Sequence, residues 1–241
     1  MSTKIAVVCA LREELSAVKA GLGTDAGRFE LIQAGVGARA AARVGKELAS
    51  RENPAALVVS TGFCGGLSDA LKVGDIVAAH NIVGIDAGGL PAPQNLVRAK
   101  MLVENQIAGA LDAAKLRWEC GSIVCSREPI LKSEDKRALH VKSGAIAVDM
   151  ESFALAESVD AAGTAVVVLR AVSDSVEDEL PAEVAEFLDE RGKVRVGKIT
   201  RFVLKRPANI TRLMSLKKRA DKAAASLTLA WSAMRGMENC V

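Results

Sequence analysis

Carboxylates stand where apolar runs of this chain end, and that placement can do chemistry. Glu13 and Glu14 follow IAVVCA. Asp149 and Glu151 follow IAV in AVDMESFALA. Arg170, Ser173 and Asp174 follow AVVVL in LRAVSDSVEDELP. A carboxylate leaving a buried run is partly desolvated, which raises its pKa toward the range of an acid working near neutral pH. Each cluster also has a plainer structural reading. Asp149 and Glu151 suit a helix N-terminus, where negative charge complements the macrodipole, and Ser173 or Asp174 suits a helix N-cap. A fourth segment, TGFCGG, reads as a glycine-rich loop that ends the apolar run AALVVS.

The elements that must position these groups alternate along the chain. KIAVVCA is continuously apolar, the mark of a strand buried on both faces. LREELSAVKAGLG after it has helix character and closes at Gly21 or Gly23. FELIQAGVG, PAALVVSTGFCGGL, VGDIVAAHNIVGI, CGSIVCS, GAIAVDM and TAVVVLRAVSD are further strand candidates. ARAAARVGKELASR, IAGALDAAKL and ESFALAESVDAAG are helix candidates between them. This alternation predicts an α/β fold, three layers with helices on both faces of a mixed, largely parallel sheet. Ligands of such sheets bind beyond the carboxyl ends of the strands. The four polar clusters stand at those ends and are expected to converge on one rim.

Composition narrows the class. At 241 residues and 50% hydrophobic, the chain suits one globular domain over 1–241. Its five cysteines, Cys9, Cys64, Cys120, Cys125 and Cys240, are odd in number and form no CxxC pair, which points to a reducing compartment. His80 and His140 are its two histidines, so a histidine-rich metal site is not expected, and each is read as a surface or satisfied core residue. IAVVCA is too short for a signal-peptide core, and no run reaches transmembrane length, so a cytoplasmic location is expected. The net charge of +3 hides an uneven distribution. Residues 191–222 hold twelve Lys and Arg against one acid, Asp221. From Pro207 onward Ile210, Leu213, Met214, Ala220, Ala224, Leu227 and Trp231 recur at helical spacing. Residues 182–241 thus read as a basic amphipathic extension. At 3% aromatic content the chain lacks the stacking residues of a nucleic-acid binder.

Five segments in order resemble the purine-acting branch of the nucleoside phosphorylase and nucleosidase superfamily, over residues 4 to about 178. IAVVCALREEL is similar to the opening strand and acidic turn of methylthioadenosine/S-adenosylhomocysteine nucleosidases, and QAGVGARAAA to their glycine turn. STGFCGGLSDALKVGDIV resembles TGxAGGLxxxLKVGDIV, the most specific match; AVDMESFALA resembles VxMExxA, and VVVLRAVSD resembles VVVRAISD. The resemblance implies a nucleoside phosphorylase-like fold and cleavage of a purine N-ribosidic bond, without metal or organic cofactor. It implies that Glu151 accepts hydrogen bonds from the ribose hydroxyls while Met150 packs on the sugar. Asp149 then falls to a supporting role. Asp174 is implied as the acid that protonates N7 of the leaving base, oriented by Ser173, and Glu14 as the group that positions the attacking water. Gly62, Phe63, Pro129, Ile130 and Arg170 are implied on the substrate side, and an oligomer of at least two copies is expected.

The chain departs from this pattern in two places. Phosphorylases of the branch hold phosphate with an arginine and a serine where this chain has Ser60 and Phe63. A phenyl ring cannot hold phosphate, Ser60 alone lacks the charge for bidentate recognition, and Glu14 repels an anion. Water is therefore the expected acceptor, with Arg12 and Arg39 keeping phosphorolysis open. The second departure is FVLKRPANITRLMSLKKRADKAAASL, which resembles hopanoid-associated members of the superfamily. That resemblance implies release of adenine from adenosylhopane, reached from an anionic membrane surface through 191–222 at the inner membrane face. An ordinary solvated helix or a dimer element would account for the same segment. The alternatives are a methylthioadenosine/S-adenosylhomocysteine nucleosidase, a futalosine hydrolase, and a non-catalytic nucleoside-binding module at a membrane. Retention of both Glu14 and Asp174 weighs against the last.

Overall fold

The computed structural model describes residues 5–85, 91–98, 101–187, 195, 197–199, 202 and 209–236. Its strands are β1 (Ile5–Cys9), β2 (Phe29–Gln33), β3 (Leu57–Gly66), β4 (Ile76–Ile85), β5 (Pro91–Arg98), β6 (Trp118–Cys125), β7 (Ala147–Asp149) and β8 (Ala165–Asp174). The helices are α1 (Arg12–Leu22), α2 (Ala38–Ala49), α3 (Met101–Ala113), α4 (Ser133–Ser143), α5 (Ser152–Asp160) and α6 (Asn209–Ala233). β2, β1, β3 and β8 run parallel as neighbours, and so do β4, β6 and β7. β4 pairs antiparallel with β8 and β5, and β3 meets β7 antiparallel at Gly65 and Gly66. The path β3–β8–β4–β6–β7 returns to β3, so these five strands close on themselves. The expected mixed, largely parallel sheet forms; its closure is a further feature, set by which strands lie side by side.

One apolar layer lies between the sheet and α1, α3 and α6, and another between the sheet and α2 and α5. The strands are apolar on both faces because both faces are covered. α6 completes the first layer. Trp231 is fully buried, meets Phe29 edge-on at 6.0 Å and donates its Nε1–H to Thr61 Oγ1 at 3.2 Å. α1 comes close enough because residue 21 is glycine: a Cβ there would stand 2.5 Å from the Thr228 carbonyl oxygen and 2.7 Å from Trp231 Cβ.

α6 also departs from its expected apolar stripe. Ala223, Leu227, Ala230 and Trp231 are buried, whereas Ile210 and Met214 are 47% and 67% exposed. The stripe is longer than the core it covers. Half of α6 is thus part of the main core and only its first half extends beyond it. The expected break at Pro207 and much of 191–208 lie outside the described residues. Among the described residues no helix is long and apolar enough to cross a membrane.

β5 and α4 were not among the expected elements, although α4 has acids in its first turn, Lys142 in its last and a left-handed Gly144 after it. For α4 the reason is plain: its one buried residue is a lysine, Lys136, so it has no apolar stripe to read. His140 in α4 donates from Nδ1 to the Ala145 carbonyl at 2.7 Å.

Candidate active site

Glu14 is the third residue of α1 and turns back on the helix start. Its Oε2 accepts the N–H groups of Ala10 and Leu11 at 2.9 and 2.8 Å, which satisfies donors that a helix N-terminus leaves without partners. Its Oε1 accepts the Phe63 N–H of β3 at 2.7 Å. The side chain is 3% exposed. Burial raises its pKa above the ordinary carboxylate value, opposed by the charge of Arg170 and by the three backbone donors.

Two glycines of TGFCGG make room for two acids. A Cβ on Gly62 would stand 2.5 Å from the Glu14 carboxyl carbon. A Cβ on Gly65 would stand 3.1 Å from Asp174 Oδ2. The segment, expected to be a loop, is instead the end of β3, paired with β8 along its length. Cys64 faces Val172 and Gly65 faces Asp174, so the ladder skips Ser173. That bulge re-aims the end of β8, the usual effect of an inserted residue on side-chain direction.

Glu151 sits at the N-cap position of α5, and its Oε1 accepts the N–H of Gly37 at 2.7 Å. Gly37, at φ 88°, begins α2, so the QAGVG turn supplies this donor. Burial and the neighbouring charge of Asp149 push the Glu151 pKa up to about 7, against the pull of Arg170 and the Gly37 N–H. Asp149 lies behind. It pairs with Arg170 at 2.5 Å, accepts the Cys125 thiol at 2.7 Å, and takes the Ser152 hydroxyl and N–H at the start of α5. Arg170 also donates to Ser60 Oγ and Ser152 Oγ at 2.9 and 2.8 Å.

Asp174, the last residue of β8, is 7% exposed. Ser173 Oγ stands 2.8 Å from Asp174 Oδ1 and 3.1 Å from the Cys64 carbonyl oxygen. That hydroxyl can donate to a carboxylate, or turn to Cys64 and accept from a carboxylic acid, so it serves both protonation states. On the other side Lys136 Nζ lies 2.5 Å from Asp174 Oδ2. This cation is the main site residue that sequence reasoning missed.

Glu14, Glu151 and Asp174 line one cavity of about 450 Å³. Met150, Ser173, Phe63, Pro129 and Ile130 line it as well. Leu180, Val184 and Arg195, from the segment after β8, add walls that no motif had indicated. The strand ends after β1, β3, β7 and β8 do converge. Two expected substrate contacts do not lie there. Arg170 is 1% exposed, spent on Asp149 and two serines behind the cavity, and Gly62 provides clearance for Glu14. Glu13 lines a separate small cleft between α1 and α6. Among the described residues no group of three or more His, Cys, Asp or Glu is placed to hold a metal ion.

Comparison with known proteins defines the class. The sequence pattern of the Phosphorylase superfamily matches residues 22–205, and the chain belongs to that superfamily. It is an enzyme of the nucleosidase or nucleoside phosphorylase type. A 5′-methylthioadenosine/S-adenosylhomocysteine nucleosidase of Actinobacillus succinogenes is 30% identical over 215 residues, covering 77% of this chain and 91% of its own. The Haemophilus influenzae enzyme of the same name is 31% identical over 173 residues, 66% of this chain and 73% of its own. The structure of a futalosine hydrolase from Helicobacter pylori superposes with a TM-score of 0.74 at 19% identity, over 98% of this chain and 99% of that one. At that identity the likeness concerns the fold.

Proposed function

We propose that the enzyme hydrolyses the N-ribosidic bond of a 5′-substituted adenosine, of the methylthioadenosine or S-adenosylhomocysteine kind, and releases adenine. The observation that carries water as acceptor is the state of the groups a phosphate would need. Ser60 is 1% exposed and held by Arg170 and Ser152. Phe63 lines the cavity, and neither Arg12 nor Arg39 does. Arg195 is the cation among the described lining residues, and it is exposed on the rim. The named nucleosidase relatives support the same substrate class.

The roles follow from position. The C1′–N9 bond breaks with its electron pair going to the base, and Asp174 passes a proton to N7. Water adds to C1′ and its proton goes to Glu14, whose raised pKa suits a base near neutral pH. Glu151 accepts the ribose hydroxyls and Met150 packs on the sugar. Ile130, Leu180 and Val184 offer apolar surface to the base and the 5′ substituent. The test is free-base release from methylthioadenosine, S-adenosylhomocysteine, adenosine, inosine and futalosine, each with and without phosphate. Phosphate-independent adenine release supports the reading. A strict need for phosphate, or hypoxanthine release alone, overturns it.

A second reading, a lipid-linked adenosine such as adenosylhopane, is favoured by one observation. Exposed Ile210 and Met214 accompany Arg212, Lys217 and Lys218 on the first half of α6. Leu180, a wall of the cavity, also lines a small cleft with Arg212, Leu216 and Arg219 of that helix. The basic face thus adjoins the site, as a substrate delivered from an anionic membrane would require. Adenine release from adenosylhopane in detergent, with flotation on anionic vesicles, tests it. Light scattering tests the expected dimer.

A further inference from the structure

α4 is a polar helix whose single buried residue is Lys136, fully removed from solvent. An ammonium is among the groups least readily buried, and it stays only where it is paired and hydrogen-bonded. Lys136 meets both conditions. Nζ lies 2.5 Å from Asp174 Oδ2 and 2.8 Å from the carbonyl oxygens of Ser175 and Asp178. Three acceptors match its three donors, which leaves no N–H for solvent or substrate. The two carbonyls belong to the segment that leaves β8 toward Leu180. That segment is held elsewhere by Arg137 of α4 on Glu177 and by Arg219 of α6 on Asp178. Those two arginines already tether the loop, so tethering alone does not account for a buried cation on Asp174.

We propose that Lys136 is the positioning residue of the proton donor: it fixes Asp174 at the cavity edge and stabilises the carboxylate left when the proton passes to the leaving base. The inference rests on the nucleosidase reading above. In the step, Asp174 gives up one proton to N7 and becomes an anion, while Lys136 keeps its three protons and its charge. The hydrogen bond from Lys136 to the neutral acid becomes an ion pair as the C1′–N9 bond breaks, and interactions stronger in the transition state than in the ground state are those that accelerate chemistry. In a site with little water the effect of a fixed charge is larger than at a surface.

The test compares leaving groups. Adenine must be protonated to leave, whereas 4-nitrophenolate leaves as a stable anion. Lys136→Met and the natural chain are assayed with methylthioadenosine and with the 4-nitrophenyl riboside carrying the same 5′ substituent. If Lys136 acts through the acid, turnover of the nucleoside falls about 10²-fold further than that of the nitrophenyl riboside. If both fall equally, Lys136 merely tethers the loop and the inference is overturned. A natural chain that cleaves neither substrate refutes the nucleosidase reading instead. Should circular dichroism show Lys136→Met unfolded, Lys136→Arg keeps the charge but displaces it. An unequal fall then supports the inference, and equal falls overturn it.

Discussion

Glu14 occupies the space that a side chain on Gly62 would take: a Cβ there would lie 2.5 Å from both the carboxyl carbon and Oε1 of Glu14. The obstructing atoms are the end of a flexible side chain, so Gly62→Ala displaces Glu14 and leaves the strand paired. The backbone at φ 152° adds strain of its own. A displacement of about 1 Å at a catalytic group costs on the order of 10²-fold in rate. The expected outcome is a fall of that order in kcat with a far smaller change in the unfolding midpoint. A fully active Gly62→Ala would show that the position of Glu14 is not critical.

This relationship marks how far the sequence could be read. The ends of β1, β3, β7 and β8 announced themselves as polar residues after apolar runs, because a buried strand must be apolar until it emerges. Glu14, Glu151, Ser173 and Asp174 therefore stood out, whereas Met150 came only with the resemblance of AVDMESFALA. The role of Gly62 did not, since clearance for a side chain 48 positions away depends on packing and not on pattern. Lys136 was illegible for the opposite reason: a lysine in SEDKRALHVKS has the look of a solvated face, and only the fold shows it to be the one residue of α4 without exposure. Arg170 was legible as important but misplaced. Its place four residues before Asp174 on the same strand suggested a shared face, but the bulge that skips Ser173 lies between them, and Arg170 meets Asp149 behind the cavity.

Asp174→Asn tests the acid directly. The amide keeps the shape and can still meet Ser173, but it has no proton to give. Turnover of adenine nucleosides should fall about 10²–10⁴-fold, with affinity for a non-cleavable analogue retained. The amide also places an NH₂ or an uncharged oxygen against Lys136, so an unfolding measurement must accompany the assay. Retained turnover would remove Asp174 from the mechanism.

The C-terminal helix is expected to be needed for the fold. Trp231 is fully buried against Phe29 and bonds Thr61, the residue before Gly62. Trp231→Ala should destabilise the protein by about 3–5 kcal/mol, the usual range for deleting a buried aromatic side chain. Urea unfolding measures it. A loss under about 1 kcal/mol would mean that the region relaxes to fill the space, against the close packing expected of a core.

The raised pKa of Glu151 predicts opposite pH trends for stability and for binding. Its carboxyl group holds a proton up to about 7 in the folded chain, against an ordinary value of 4.5. Between those values the folded state binds more protons than the unfolded one, so this group's contribution makes stability fall as pH rises through the window. Glu14 acts in the same direction, since burial raises its pKa as well. Ribose binding runs the other way. In the role proposed for Glu151 the sugar hydroxyls donate to its carboxylate, so affinity for a non-cleavable C-nucleoside analogue should rise as pH climbs through about 7 and Glu151 ionises. Glu151→Gln should weaken binding above that pH, remove most of the pH dependence of affinity and reduce the slope of stability against pH. Calorimetric titration and urea unfolding across the window read the two trends separately. An affinity that stays flat in the natural chain would remove Glu151 from the ribose site, whatever the stability curve shows.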